Sequence, residues 1–179
     1  MIVTTVVVLA AERSEAVDEL LAARALFWAR SAVGTGAAVR VAEAGEEMVD
    51  ALRAAGVDGS PPDGWPLVVI APALPVWSDE LAGAVLSDLD DGCPLAIGPI
   101  FDGGFYLLAL ARPIPSLADL SEQELTGRHG MNALIELAAR DGLEVGLLRT
   151  ERGLRRPADV RALLADPLTD AELRRLLAA

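Results

Sequence analysis

Short runs of β-branched and apolar residues alternate along this chain with longer Ala/Leu-rich runs whose apolar residues recur every three or four positions. The short runs suit buried strands and the longer ones suit helices with one apolar face, so the rhythm predicts a parallel or mostly parallel sheet covered by helices. Strands are predicted over residues 3–10, 37–42, 66–71, 95–100, 105–111 and 144–149. Pro66-Leu-Val-Val-Ile-Ala71 is apolar without interruption, as expected of a central strand covered on both faces.

Helix ends are marked by residue type. Ser14 and Ser78 stand where N-caps belong, and Asp79 and Glu80 follow Ser78 in a first turn, where carboxylates suit the helix dipole. Ser121-Glu-Gln-Glu124 has capping-box spacing. Pro157 is placed to open a helix through residue 165, and Thr169 is predicted to cap the last one. Gly56 and Gly142 close two others. The 179 residues are expected to form a single domain over 1–179, because the one evident loop, residues 57–66, is too short to divide them.

Composition narrows the chemistry. The chain has no Lys, which removes P-loop and Schiff-base lysines. One Cys, Cys93, excludes an internal disulfide and a Cys-based zinc site, and its place before a proline suits a small buried hydrophobe. One His, His129, excludes a His-rich metal site and reads as a loop residue. The net charge of -12 opposes general nucleic-acid binding. No stretch reaches the ~20 apolar residues of a membrane helix. No basic leader precedes the first apolar run, so a cytoplasmic location without membrane or nucleic-acid partners is expected.

The acid excess is uneven: residues 1–100 carry 5 Arg against 15 acids, and residues 101–179 carry 10 against 12. Arg149, Arg152, Arg155, Arg156 and Arg161 cluster with only Glu151 and Asp159 near them. They form either a solvated, partly paired surface or a contact for phosphate or carboxylate, which guanidinium forks match. Phe27 and Trp28 are adjacent on one helix and point about 100° apart, so one of them is a candidate for a homodimer face.

One motif stands out, Gly98-Pro-Ile-Phe-Asp-Gly-Gly-Phe-Tyr-Leu-Leu108. Asp-Gly between two apolar runs is a hairpin signal, because the tight turn needs positive φ. The same residues suit a ligand loop: Gly103 and Gly104 admit close backbone approach, and Asp102 accepts hydrogen bonds from hydroxyls. Phe105 and Tyr106 follow, one expected in the core by strand alternation and the other free to flank a ligand.

At this loop the chain resembles a bacterial family of small glycosyltransferase-A-like proteins, whose Gly-Pro-x-x-Asp-Gly-Gly-Tyr-Tyr-Leu-Ile segment it follows closely. That family is similar to the 2-phospholactate guanylyltransferases and the molybdopterin nucleotidyltransferases. Two flanking segments agree in order. Residues 66–76 resemble the strand that ends in Gly-x-Asp-x-Pro-x-Leu, and Arg156-Pro-Ala-Asp-Val160 resembles the tail of Asp-x-Asp-Thr-Pro-x-Asp-Leu.

The resemblance covers roughly residues 37–165 and implies a three-layer α/β/α fold with one antiparallel strand in a mostly parallel sheet. It implies a nucleotide or nucleotide-sugar ligand with Mg²⁺ or Mn²⁺ at the strand ends. Asp102, Gly103, Gly104, Tyr106, Arg155 and Arg156 are its implied binding residues. The family's metal carboxylates, however, fall at Ala73 and Arg155, with a partner near Gly153. Three functions follow as expectations: a nucleotidyl or glycosyl transferase, a ligand- or partner-binding homologue without turnover, and a scaffold domain.

Overall fold

A computed structural model of the chain describes residues 5–8, 15–32, 38–41, 47–59, 65–71, 73–126 and 128–179. The predicted cap at Ser14 and the ends of the first two predicted strands lie outside these residues. The elements are β1 (Thr5–Val8), α1 (Glu15–Ala32), β2 (Ala38–Val41), α2 (Met48–Ala54), β3 (Leu67–Ile70), α3 (Asp79–Asp90), β4 (Leu95–Pro99) and β5 (Phe105–Leu110). A 3-10 turn (Pro115–Asp119) follows, then α4 (Glu122–Thr126), α5 (Gly130–Asp141), β6 (Val145–Leu147), α6 (Pro157–Ala165) and α7 (Ala171–Ala178).

Among the described residues the strands form one six-stranded sheet in the order β2-β1-β3-β5-β4-β6. β1 pairs parallel with β2 and β3, and β4 pairs parallel with β6. β5 is antiparallel to both β3 and β4. Inserting β5 between β3 and β4 leaves all the other strands pointing one way. The chain segments that follow β3, β4 and β6 therefore emerge at one edge of the sheet, beside the start of β5. In open α/β sheets that edge is where ligands bind.

β3 explains its own sequence. Val68 and Ile70 pack with Trp28 of α1 and Leu81 and Val85 of α3, whereas Leu67 and Val69 pack with α2, Leu134 and Leu137. Both faces are covered, and each such side chain contributes about 1.5–3 kcal/mol by leaving water. A third cluster, Val17, Leu21, Leu154, Leu163 and Leu173, joins α1 to α6 and α7. No helix among the described residues is long and apolar enough to cross a membrane.

Phe105 and Tyr106 face opposite sides of the sheet, as strand alternation predicts, but neither is free to flank a ligand because helices cover both faces. Gly98 pairs with Leu107 and Pro99 with Phe105, so Tyr106 is an extra residue in β5. The bulge puts Tyr106 and Leu107 on the same face of the sheet. Phe105 joins the cluster of α2 and α5, Tyr106 joins that of α1 and α3, and both are buried.

The helix ends follow their signals with two corrections. Glu124 accepts from the Ser121 N–H (2.8 Å) and hydroxyl (2.7 Å), and Gly142 is left-handed at φ 65°. Ser78 precedes α3, but its hydroxyl is buried without a partner. The cap of α7 is Asp170, not Thr169: its carboxylate accepts from the Leu173 N–H (3.0 Å) and from Arg24 Nη1 of α1 (2.8 Å). The choice follows charge, since only the carboxylate also satisfies Arg24.

The Arg24 bond, then the Leu173 N–H, hold the Asp170 carboxyl down to about 2 against the opposing effect of burial. Its contribution is therefore complete above the ordinary value of 3.8 and is lost as pH falls toward about 2. Asp170→Asn is expected to reduce the stability difference between these limits, read by urea unfolding along the acid limb. Parallel pH profiles for the two proteins would contradict this assignment.

Candidate functional site

The Asp-Gly-Gly segment is a hairpin turn and something more. Gly103 N–H donates to the Ile100 carbonyl (3.0 Å), Ile100 N–H donates to the Gly104 carbonyl (3.0 Å), and Gly103 adopts φ 94°. Gly104 N–H donates to Asp102 Oδ1 (3.2 Å), so that carboxylate braces its own turn. Met131 N–H of α5 donates to the Gly103 carbonyl (3.0 Å), which ties the turn to a helix start. A Cβ on Gly103 would lie 2.1 Å from the Arg128 carbonyl, so a side chain is excluded by contact as well as by φ.

The segment after β6 closes against this turn. Glu151 N–H donates to the Pro99 carbonyl (3.0 Å) and Phe101 N–H to the Glu151 carbonyl (3.1 Å), extending the parallel pairing of β4 and β6. Leu154 N–H then donates to the Ala73 carbonyl (2.8 Å) beyond β3. Arg155 follows, and its guanidinium lies on the turn: a Cβ on Gly104 would be 2.5 Å from Arg155 Nη1. A Cβ on Gly153 would be 3.1 Å from Ile100 and 3.5 Å from the Ala73 methyl. Ala73, Gly104, Gly153 and Arg155, scattered over about half the chain, thus share one point at the strand ends.

Asp159, which sequence reasoning passed over, organises this segment. It is the buried charged residue of the described set, 2 % exposed. Its carboxylate accepts from the backbone N–H groups of Arg156 (2.9 Å) and Arg155 (3.2 Å) and from Arg152 Nη1 (3.2 Å). Burial alone would raise its pKa; the two backbone donors, the Arg156 charge and the Arg152 bond outweigh it and hold the carboxyl below its ordinary range. A Pro at N1 with an acid at N3 was the available signal, since an N3 carboxylate reaches back to the N-cap N–H.

The expected binding residues divide. Asp102, Gly103, Gly104 and Arg155 come together. Arg156 stands beside Arg155, its Nε 3.6 Å from Asp159, and both line a cavity of about 500 Å³ with Arg161, floored by Leu154, Pro157 and Val160. Tyr106 is corrected out of the ligand-facing set. It is wholly buried beneath the turn, with its hydroxyl donating to the Arg149 carbonyl (3.2 Å) and its ring edge-on to Trp77 at 5.8 Å. Burial, with help from the Glu151 carboxylate, pushes its phenol well above the ordinary range, so it stays neutral.

A second concavity, about 440 Å³ and lined by Arg24, Phe27, Trp28 and Trp77, is separate from the turn. There Trp28 is buried, donating its Nε1–H to the Ser78 carbonyl (2.8 Å), while Phe27 is 74 % exposed.

The divalent cation implied by the resemblance does not fit this site. The positions that should supply carboxylates hold a methyl group, a bare Cα and a guanidinium. No group of three or more His, Cys, Asp or Glu among the described residues is arranged to hold a metal. A hard cation shared with phosphate needs at least one or two protein carboxylates. What the site offers is guanidinium, backbone at close approach, and the Asp102 carboxylate.

The structure is similar to that of a candidate nucleotide-diphospho-sugar transferase from Desulfovibrio desulfuricans G20, with TM-score 0.67 and 16% identity over 99% of this chain and 95% of that one. It is also similar to Rv0371c from Mycobacterium tuberculosis H37Rv, solved in complex with manganese, with TM-score 0.58 and 20% identity over 93% of this chain and 100% of that one. At such identities the likeness shows the fold alone. No protein-family model and no curated protein matches the chain.

Proposed function

We propose that this chain is a transferase-like protein of the three-layer glycosyltransferase-A type, acting on a nucleotide or nucleotide sugar held at the strand ends with a degenerate metal site. The observation that carries the reading is the seating of the Arg155 guanidinium on Gly104 of the Asp-Gly-Gly turn, with Arg155 also lining the cavity bordered by Arg156 and Arg161. Guanidinium forks bind phosphate oxygens with charge-assisted hydrogen bonds. The Asp102 carboxylate accepts from sugar hydroxyls.

Ala73 and Gly153 favour a second reading, binding without turnover, because charge developing on a transferring group lacks the usual metal clamp. Calorimetry against the four nucleoside triphosphates and common nucleotide sugars, with and without Mg²⁺ or Mn²⁺, tests both. Binding to at least one is the expected result, and silence across all of them overturns the proposal. Chromatography of the bound compound after prolonged incubation with candidate acceptors separates the readings: new product supports transfer, and recovery of intact ligand supports binding alone.

A further inference from the structure

We infer that the Arg155 guanidinium takes the place of the divalent cation, so that this site binds the diphosphate of its ligand without any metal ion. The inference rests on the nucleotide-ligand reading above and deepens it by naming what neutralises the phosphates.

Four observations carry it. First, the positions where the family's carboxylates fall converge in space here although the acids are absent: Leu154 N–H bonds the Ala73 carbonyl, and Gly153 packs on Ile100 and Ala73.

Second, the guanidinium is placed rather than loose. Its backbone N–H is held by buried Asp159, and its head group rests where a side chain on Gly104 would collide with it.

Third, its charge is uncommitted among the described residues. Asp159 pairs with Arg152 and Arg156, and Glu151 with Arg149, but no carboxylate among the described residues pairs with the Arg155 head group.

Fourth, Arg155 borders the cavity together with Arg156 and Arg161, which gives more than one phosphate a cationic neighbour. On a chain of net charge -12 this is a local reversal of sign, and it draws an anion to one place.

An acid pair would have bound a cation and through it the diphosphate. A guanidinium in the same place supplies positive charge and directed donors at once.

Inorganic pyrophosphate, ADP, GDP and UDP are the probes, titrated calorimetrically into the full chain in excess EDTA and again with millimolar Mn²⁺. Metal-free binding that Mn²⁺ does not strengthen is expected, and Arg155→Gln should weaken it about tenfold or more, the loss of one charged hydrogen-bond donor. The thermal midpoint of Arg155→Gln should stay near that of the parent, because the backbone bond to Asp159 remains. The double substitution Ala73→Asp with Arg155→Asp should make pyrophosphate binding depend on Mn²⁺.

Nucleotide binding seen only with Mn²⁺ would overturn the inference and leave the nucleotide reading intact. So would unchanged affinity in Arg155→Gln, or a double variant that folds yet shows no metal dependence. Metal-free pyrophosphate binding that no nucleoside diphosphate competes for would leave the inference standing and remove the nucleotide reading. No binding by any probe overturns both.

Discussion

Replacing Asp159 with alanine is expected to destabilise the fold by about 2–4 kcal/mol, because two backbone donors and one guanidinium lose a buried acceptor. Arg152 is about half exposed, so water replaces part of its lost contact and keeps the cost below that of breaking a fully buried ion pair. For a domain of this size such a loss lowers the melting temperature by roughly 4–16 °C. Ligand affinity should fall with it, since the same carboxylate anchors the backbone of Arg155 and Arg156.

Asp159→Asn keeps an acceptor and loses the charge, so it should fall between the parent and the alanine variant. The Asp159 carboxyl is held below its ordinary value in the folded state. The penalty is therefore fully present above the ordinary 3.8 and shrinks as pH falls through the lowered folded value. Urea unfolding of the three proteins near neutral pH and along the acid limb is the measurement. An alanine variant as stable as the parent would show that Asp159 is buried without organising the segment.

The second large effect is expected at Gly98. A Cβ there would lie 2.5 Å from Tyr106 Cζ and 2.6 Å from Cε2, inside a ring that has no exposed surface to retreat through. Gly98→Ala must displace the ring from Trp77 or spread β4 from β5, at a cost of about 2–3 kcal/mol by overpacking. The bulge should loosen and the turn at residues 100–104 move with it. Tyr106→Leu in the same chain removes the collision, so the double variant should be less destabilised than the two single effects added together. Thermal unfolding of the four proteins closes the cycle. Strict additivity would show that Gly98 and Tyr106 do not press on each other.

Much of the local structure was legible because it depends on neighbours in the chain. The uninterrupted apolar run of β3, the capping box at Ser121 and Glu124, the left-handed Gly142 and the positive φ of Gly103 all follow from residue types at short spacing. The resemblance singled out Asp102, Gly104 and Arg155, and the structure brings Gly104 and Arg155 together. Why Gly104 is bare was not legible, because its reason lies 51 positions away in Arg155. Tyr106 was misplaced because both faces of β5 are covered by helices, which alternation within Phe105-Tyr-Leu-Leu108 cannot announce. Thr169 and Asp170 are both cap residues by type, and the choice between them was made by Arg24 on another helix.

The sequence by itself determined an alternation of strands and helices, a tight acid-and-glycine turn, and a cluster of arginines on an acidic chain. By resemblance alone, it placed Ala73 and Arg155 where that family's metal carboxylates fall. The tertiary structure decided that β5 lies between β3 and β4, that Tyr106 is sealed beneath the turn, and that Arg155 rests on Gly104 while Asp159 is occupied behind it. The division has one physical cause. Propensity and periodicity act over a few residues, whereas strand order, burial and the approach of a charge to a glycine depend on contacts between segments that only packing brings together.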